Sequence, residues 1–161
     1  KLMREEVETL APLMTEEMGK PIKEARGEVN KSAWCAEHYA ANAEAYLERQ
    51  VIESDATLSY VEHLPIGPVL GILPWNAPFW LAFRFSAPAL MAGNSCLMKH
   101  DPHVPGCALA IEKCFRDAGC NRSVARDADD QRPFFGHKAH HFSPLFGPRF
   151  RIHCRTVSAG C

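Results

Sequence analysis

The chain has 161 residues, a formal net charge of −1 and a sequence pI near 6.8. This balance gives no ground for a nucleic-acid partner or an anionic membrane surface. No apolar run reaches the roughly 18 residues a transmembrane helix needs, and the length suits one domain or part of a larger one.

The charged start KLMREEVETL has no apolar signal core, so a cytoplasmic chain is expected. Its first residue is not Met, as in a fragment. The seven cysteines are an odd number without a CxxC pair, and they read as reduced thiols.

Composition divides the chain into residues 1–50, 51–120 and 121–161. In the first stretch Met3, Val7, Leu10, Met14 and Met18 recur at steps of three and four, the mark of one helix face. Pro12 is expected to bend or end that helix. Gly19-Lys20-Pro21 reads as a stop and a restart. A second helix then runs to about Leu47, with Ile22, Ala25, Val29, Ala33, Ala36, Ala40, Ala43 and Leu47 on one face. So many alanines suggest close packing against another element.

The middle stretch changes period. TLSYVEHLP alternates roughly and reads as a partly exposed strand. PVLGIL is a continuous apolar run between prolines, as expected of a strand buried on both faces. FWLAFRFSAPALMAG predicts a helix stopped by Gly93, and SCLMKH a short strand ending in charge. PGCALAIEKCFRDAG predicts an amphipathic helix closed by Gly119, with Cys107, Ala110, Ile111, Cys114 and Phe115 on its apolar face. Strand, helix, strand, helix at this spacing is a βαβα unit and implies a parallel sheet.

Beyond residue 120 the pattern stops. Val124, Leu145, Ile152 and Val157 are the only Val, Ile or Leu there, while arginine, histidine and phenylalanine crowd in. No third strand shows in the periodicity, and an irregular or disordered tail is expected. HKAHH with His153 and Cys154 matches no standard ligand spacing, so no metal site is assigned. The arginines bring no RNA-binding module with them.

Three blocks in order, TEEMGKPIKEARGEV, PIGPVLGILPWNAPFW and APALMAGNSCLMKHDPHVPGCALAIEKCFRDAG, resemble the aldehyde dehydrogenase superfamily, nearest its succinate-semialdehyde dehydrogenase branch. The resemblance covers the first 120 residues and would span an N-terminal portion of a full-length member. It implies an α/β fold: an incomplete Rossmann-type parallel sheet preceded by N-terminal helices.

On spacing alone Asn76 reads as a turn former, since Asn and Pro are common punctuation. The resemblance instead matches it to the family asparagine whose side-chain N–H holds the oxyanion of the thiohemiacetal. A fixed amide donor suits that task, because a thiolate adding to an aldehyde puts negative charge on oxygen. Lys99 matches the lysine that hydrogen-bonds the adenosine ribose of NAD or NADP, and its alternative is a solvated strand-end lysine. Ile72, Leu73, Pro74 and Trp75 match a segment lining the dinucleotide cleft, or else serve ordinary packing. Asp101 lies close to, though not clearly at, the place of an acidic residue in NAD-preferring members. Gly93-Asn94 matches the family's structural turn. SYVEHLPIG resembles a strand of the oligomerisation sheet, which implies a homo-oligomeric full-length form.

The resemblance also marks what is missing. None of the seven cysteines matches the family nucleophile, which lies far downstream together with the general-base glutamate. The expected Phe-Thr-Gly-Ser turn after Gly119 is missing too, as in a truncated or frame-shifted reading of a longer gene. Two functional readings follow. One is part of an NAD(P)-dependent enzyme that oxidises a small aldehyde such as succinate semialdehyde to the acid, inactive alone. The other is a non-catalytic assembly fragment that pairs with full-length subunits.

Overall fold

The computed structural model describes residues 1–120 and 124–126. The arginine- and histidine-rich tail beyond them, with Cys154 and Cys161, lies outside the described residues.

The chain opens with two helices, α1 (Leu2–Glu5) and α2 (Val7–Met18). The break falls at Glu6, and α2 runs through Pro12 without ending there. The carbonyl that a proline at position 12 deprives of a partner belongs to Glu8, an exposed residue whose backbone water can reach. Gly19 closes α2 in the left-handed conformation, φ 74°. Helix α3 (Ile22–Leu47) follows Pro21 at once. Ala25, Val29 and Ala33 are buried on it as expected, whereas Ile22 and Ala40 are exposed.

A small antiparallel hairpin comes next, formed by β1 (Gln50–Ile52) and β2 (Ser59–Val61). Strand β2 lies within the expected TLSYVEHLP segment. Strand β1 was not legible, because three residues carry no period. The parallel unit then follows: β3 (Pro68–Ile72), α4 (Pro78–Met91), β4 (Ser95–Lys99), α5 (Pro105–Asp117) and β5 (Val124–Arg126). Its strands lie in the order β3-β4-β5, all parallel.

Two expectations are corrected here. Strand β5 exists, although no strand was visible in the pattern beyond residue 120, where a third one was due; three residues with one β-branched side chain are too few to signal it. Strand β3 is not buried on both faces: Leu70 is 50 % and Ile72 75 % exposed. Among the described residues it is an edge strand, and helices cover one face of the sheet. That face carries Gly71, Cys96 and Met98, all buried. The core joins it to the N-terminal helices through Met14, Val29, Phe79, Met98 and Ile111. Phe83 of α4 stacks on Phe115 of α5 with ring centroids 5.0 Å apart.

Two turns lie at the amino ends of β3 and β4. Gly93 adopts φ 83°, the left-handed turn expected of it. The buried Asn94 side chain accepts the N–H groups of Ile66 and Gly67 at 2.7 and 3.1 Å, fixing the entry into β3. Gly71 lets α4 approach β3, since a Cβ there would lie 2.7 Å from a ring carbon of Phe85. We expect Gly71→Val to cost about 1–3 kcal/mol of stability through overpacking. Urea unfolding measures this, and an unchanged midpoint would contradict the packing described.

Candidate active site at the carboxyl rim of the sheet

The rim is built where β3 and β4 end. The Leu73 N–H bonds the Lys99 carbonyl at 3.0 Å and extends the ladder by one step. The chain then turns through Pro74, Trp75, Asn76 and Ala77 and enters α4 at Pro78. This is the rim where open parallel sheets receive ligands.

Helix α4 has no capping side chain of its own: its N-cap is Ala77, and Pro78 has no N–H. Its next two amides, Phe79 and Trp80, both donate to Oε1 of Glu28, at 3.0 and 3.1 Å. Glu28 reaches them from α3. Its other oxygen pairs with the Lys20 ammonium, and Lys20 also donates to the Asn76 carbonyl at 2.9 Å. Both side chains are withdrawn from water, 7 % exposed for Glu28 and 13 % for Lys20. The Asn76 peptide is thereby gripped by an ion pair, while the Asn76 side chain is exposed and hydrogen-bonds nothing among the described residues.

Helix α5 repeats the device. Its N-cap is Val104 and it begins at Pro105. The Gly106 and Cys107 amides donate to the two oxygens of Glu17 from α2, at 2.6 and 2.8 Å. Each carboxylate lies at the positive end of a helix dipole.

The expected cofactor residues do not converge on one surface. Leu73 and Pro74 line an apolar crevice with Met98, Val104, Ala108 and Ile111, on the helix-covered side. Ile72 and Lys99 are register partners and emerge on the opposite face. The Lys99 ammonium donates to the His100 carbonyl at 2.6 Å. Trp75 is 45 % exposed, its ring 6.4 Å from that of His103. Asp101 also lines the crevice, and one of its oxygens takes both the His103 N–H at 3.0 Å and the His103 ring nitrogen at 2.6 Å. These bonds, the backbone one foremost, hold the Asp101 carboxyl below the usual range.

Glu28, Lys20 and Glu17 were not singled out from the sequence. One signal was available: Glu28 lies three residues after Ala25 and four before Ser32, a charge on the buried stripe of α3. The described cysteines are poor nucleophiles. Burial pushes the Cys96 thiol up to about 11. It raises Cys107 further, with help from the neighbouring Glu17 carboxylate.

The chain belongs to the aldehyde dehydrogenase family, whose pattern matches residues 1–126. It is 53 % identical over 109 residues to a probable succinate-semialdehyde dehydrogenase [NADP(+)] of Synechocystis sp., covering 68 % of this chain and 24 % of that protein. It is 41 % identical over 124 residues to the succinate semialdehyde dehydrogenase [NAD(P)+] Sad of Escherichia coli, covering 77 % and 27 %. Among solved structures, the succinic semialdehyde dehydrogenase of Streptococcus pyogenes in complex with NADP+ superposes with a TM-score of 0.73. Identity is 32 %, over 76 % of this chain and 27 % of that one. The chain thus spans about a quarter of the length of the relatives it matches.

A thiol raised from an ordinary 9.0 to about 11 holds about 100-fold less thiolate near neutral pH. At pH 8 the native chain should therefore label at Cys96 and Cys107 more slowly than the unfolded chain. Thiol alkylation read by peptide mass spectrometry checks this; native labelling at the unfolded rate would contradict the burial described.

Proposed function

We propose that this chain supplies the oxyanion-binding amide and part of the dinucleotide cleft of an NAD(P)-dependent enzyme that oxidises succinate semialdehyde or a similar small aldehyde. One observation carries the reading. Asn76 stands at the carboxyl rim of a parallel sheet with its peptide clamped and its side-chain amide open to a ligand. An amide so fixed can donate to the oxygen that gains charge when a thiolate adds to the aldehyde; losing one such donor typically costs roughly 2.7–4 kcal/mol of transition-state stabilisation. The names of the relatives supply the substrate and the cofactor.

In this reading residues 1–50 are the scaffold that positions the rim, and 51–120 carry it. The tail, 121–161, is assigned no part in the chemistry. The residues present fit the adenosine end of a dinucleotide. Lys99 offers an ammonium at a strand end for a ribose hydroxyl. Ile72 offers an apolar surface beside it, and Leu73, Pro74 and Trp75 border the turn. The fit is partial. The leading amides of α4 and α5 are taken by Glu28 and Glu17, so neither helix offers them to the pyrophosphate. When bound, the cofactor accepts the hydride. The thiolate and the base that activates water come from groups other than the described cysteines, which burial keeps protonated.

A second reading has its own support. The hairpin exposes Val51 at 70 %, and its flanking residues Leu58 and Ile66 at 61 % and 84 %. Such an edge suits pairing with another subunit, so the chain would act as an assembly fragment.

Titrating NADP+ and NAD+ into the ¹⁵N-labelled chain tests the first reading. Amide shifts are expected at Ile72, Leu73, Trp75 and Lys99. No response to either nucleotide, or changes confined to the N-terminal helices, would contradict it. With succinate semialdehyde and NADP+ added, the purified chain should form no NADPH above a blank; formation would overturn the assignment of nucleophile and base to other groups.

A further inference from the structure

We infer that Lys20 and Glu28 are positioning residues for Asn76, working as one two-point clamp on the turn between β3 and α4. The inference rests on the reading of Asn76 as the oxyanion donor and adds what holds that donor in place. Lys20 grips the turn at the Asn76 carbonyl, at 2.9 Å. Glu28 grips it three and four residues later, at the Phe79 and Trp80 amides. The two grips are tied to each other by the Lys20–Glu28 ion pair. Between them lie Ala77 and Pro78, and proline fixes its own φ. The stretch from Asn76 to Trp80 therefore has its first carbonyl and its last two amides anchored to one charged pair, and that pair is shielded from water.

The arrangement does what a preorganised donor requires. An oxyanion amide acts through fixed placement, and freedom in its peptide would spend part of its effect on reorganisation. Asn76 cannot anchor itself, because its side chain must stay available to the ligand. The anchoring therefore falls to the backbone, and the ammonium makes a charge-assisted bond to the carbonyl. Lys20 also neutralises Glu28, which lets Glu28 act as a buried helix cap. Helix α5 has the capping carboxylate, Glu17, but no lysine is bonded to it among the described residues. The added cation belongs to the turn that carries Asn76.

The experiment uses the full ¹⁵N-labelled chain and the double variant Lys20→Met/Glu28→Gln. This variant leaves no unpaired charge and keeps an acceptor for Phe79 and Trp80. The readout is the Ala77 amide, which shares its peptide group with the Asn76 carbonyl. In the double variant its ¹⁵N shift should change, because the Asn76 carbonyl of the same peptide group loses its charged donor. Phe79 and Trp80 should keep their protection, and Lys20→Arg should retain the Ala77 signature. An Ala77 ¹⁵N shift equal to the parent's would overturn the inference.

A second measurement needs no variant. In the parent chain the Lys20 ammonium should give a slowly exchanging ¹⁵N signal, and an ammonium exchanging as fast as that of the exposed Lys1 would overturn the inference equally. The oxyanion reading can fail separately: nucleotide would then leave the rim unperturbed while Ala77 still reports an intact clamp.

Discussion

A single carboxylate, that of Glu28, ties the N-terminal helices to the parallel unit. It belongs to the N-terminal scaffold, it caps the helix that follows the first parallel strand, and it holds the lysine that fixes the Asn76 peptide. Burying such a group is costly unless every bond it can make is made. Here one oxygen takes two backbone amides and the other takes an ammonium. The cost of withdrawing the charge from water is offset only in this geometry, so the buried pair selects one placement of α3 against α4. Close packing of Ala25, Val29 and Ala33 makes the approach sterically possible.

The same logic recurs at α5, with Glu17 in the role of Glu28. Both helices open on proline without a capping side chain of their own, and both receive a carboxylate from an N-terminal helix. The N-terminal helices therefore act as a jig for the turns that lead into α4 and α5. One consequence concerns the dinucleotide. The leading amides of these two helices, often a cradle for phosphate in parallel sheets, are already occupied. What remains on offer is an ammonium, an apolar strand edge and a clamped amide donor.

Much of this was legible in the sequence. Helix α3 and the alternation β3-α4-β4-α5 follow from period and punctuation, because long apolar patterns bounded by Gly and Pro allow few other solutions. The placement of Asn76 at a strand's carboxyl end was legible for the same reason. Strands β1 and β5 were not, since three residues cannot display a period and their pairing is decided by neighbours. The exposure of Leu70 and Ile72 was also hidden: an apolar run reports what a strand tolerates on each face, not what covers it. The clamp was the deepest omission. Lys20 and Glu28 lie far from Asn76 in the chain and meet its turn only through the packing of α3 on α4. A lone glutamate on an apolar stripe was the one trace they left.

The most direct test of this account is a double-mutant cycle on Lys20 and Glu28, read by urea unfolding of the chain. Lys20→Met and Glu28→Gln are measured singly and together. The account predicts a coupling energy of about 1–3 kcal/mol, the mark of two buried charges that depend on each other. A coupling within about 0.3–0.5 kcal/mol of zero would mean that the two act independently, and the clamp on Asn76 would lose its foundation.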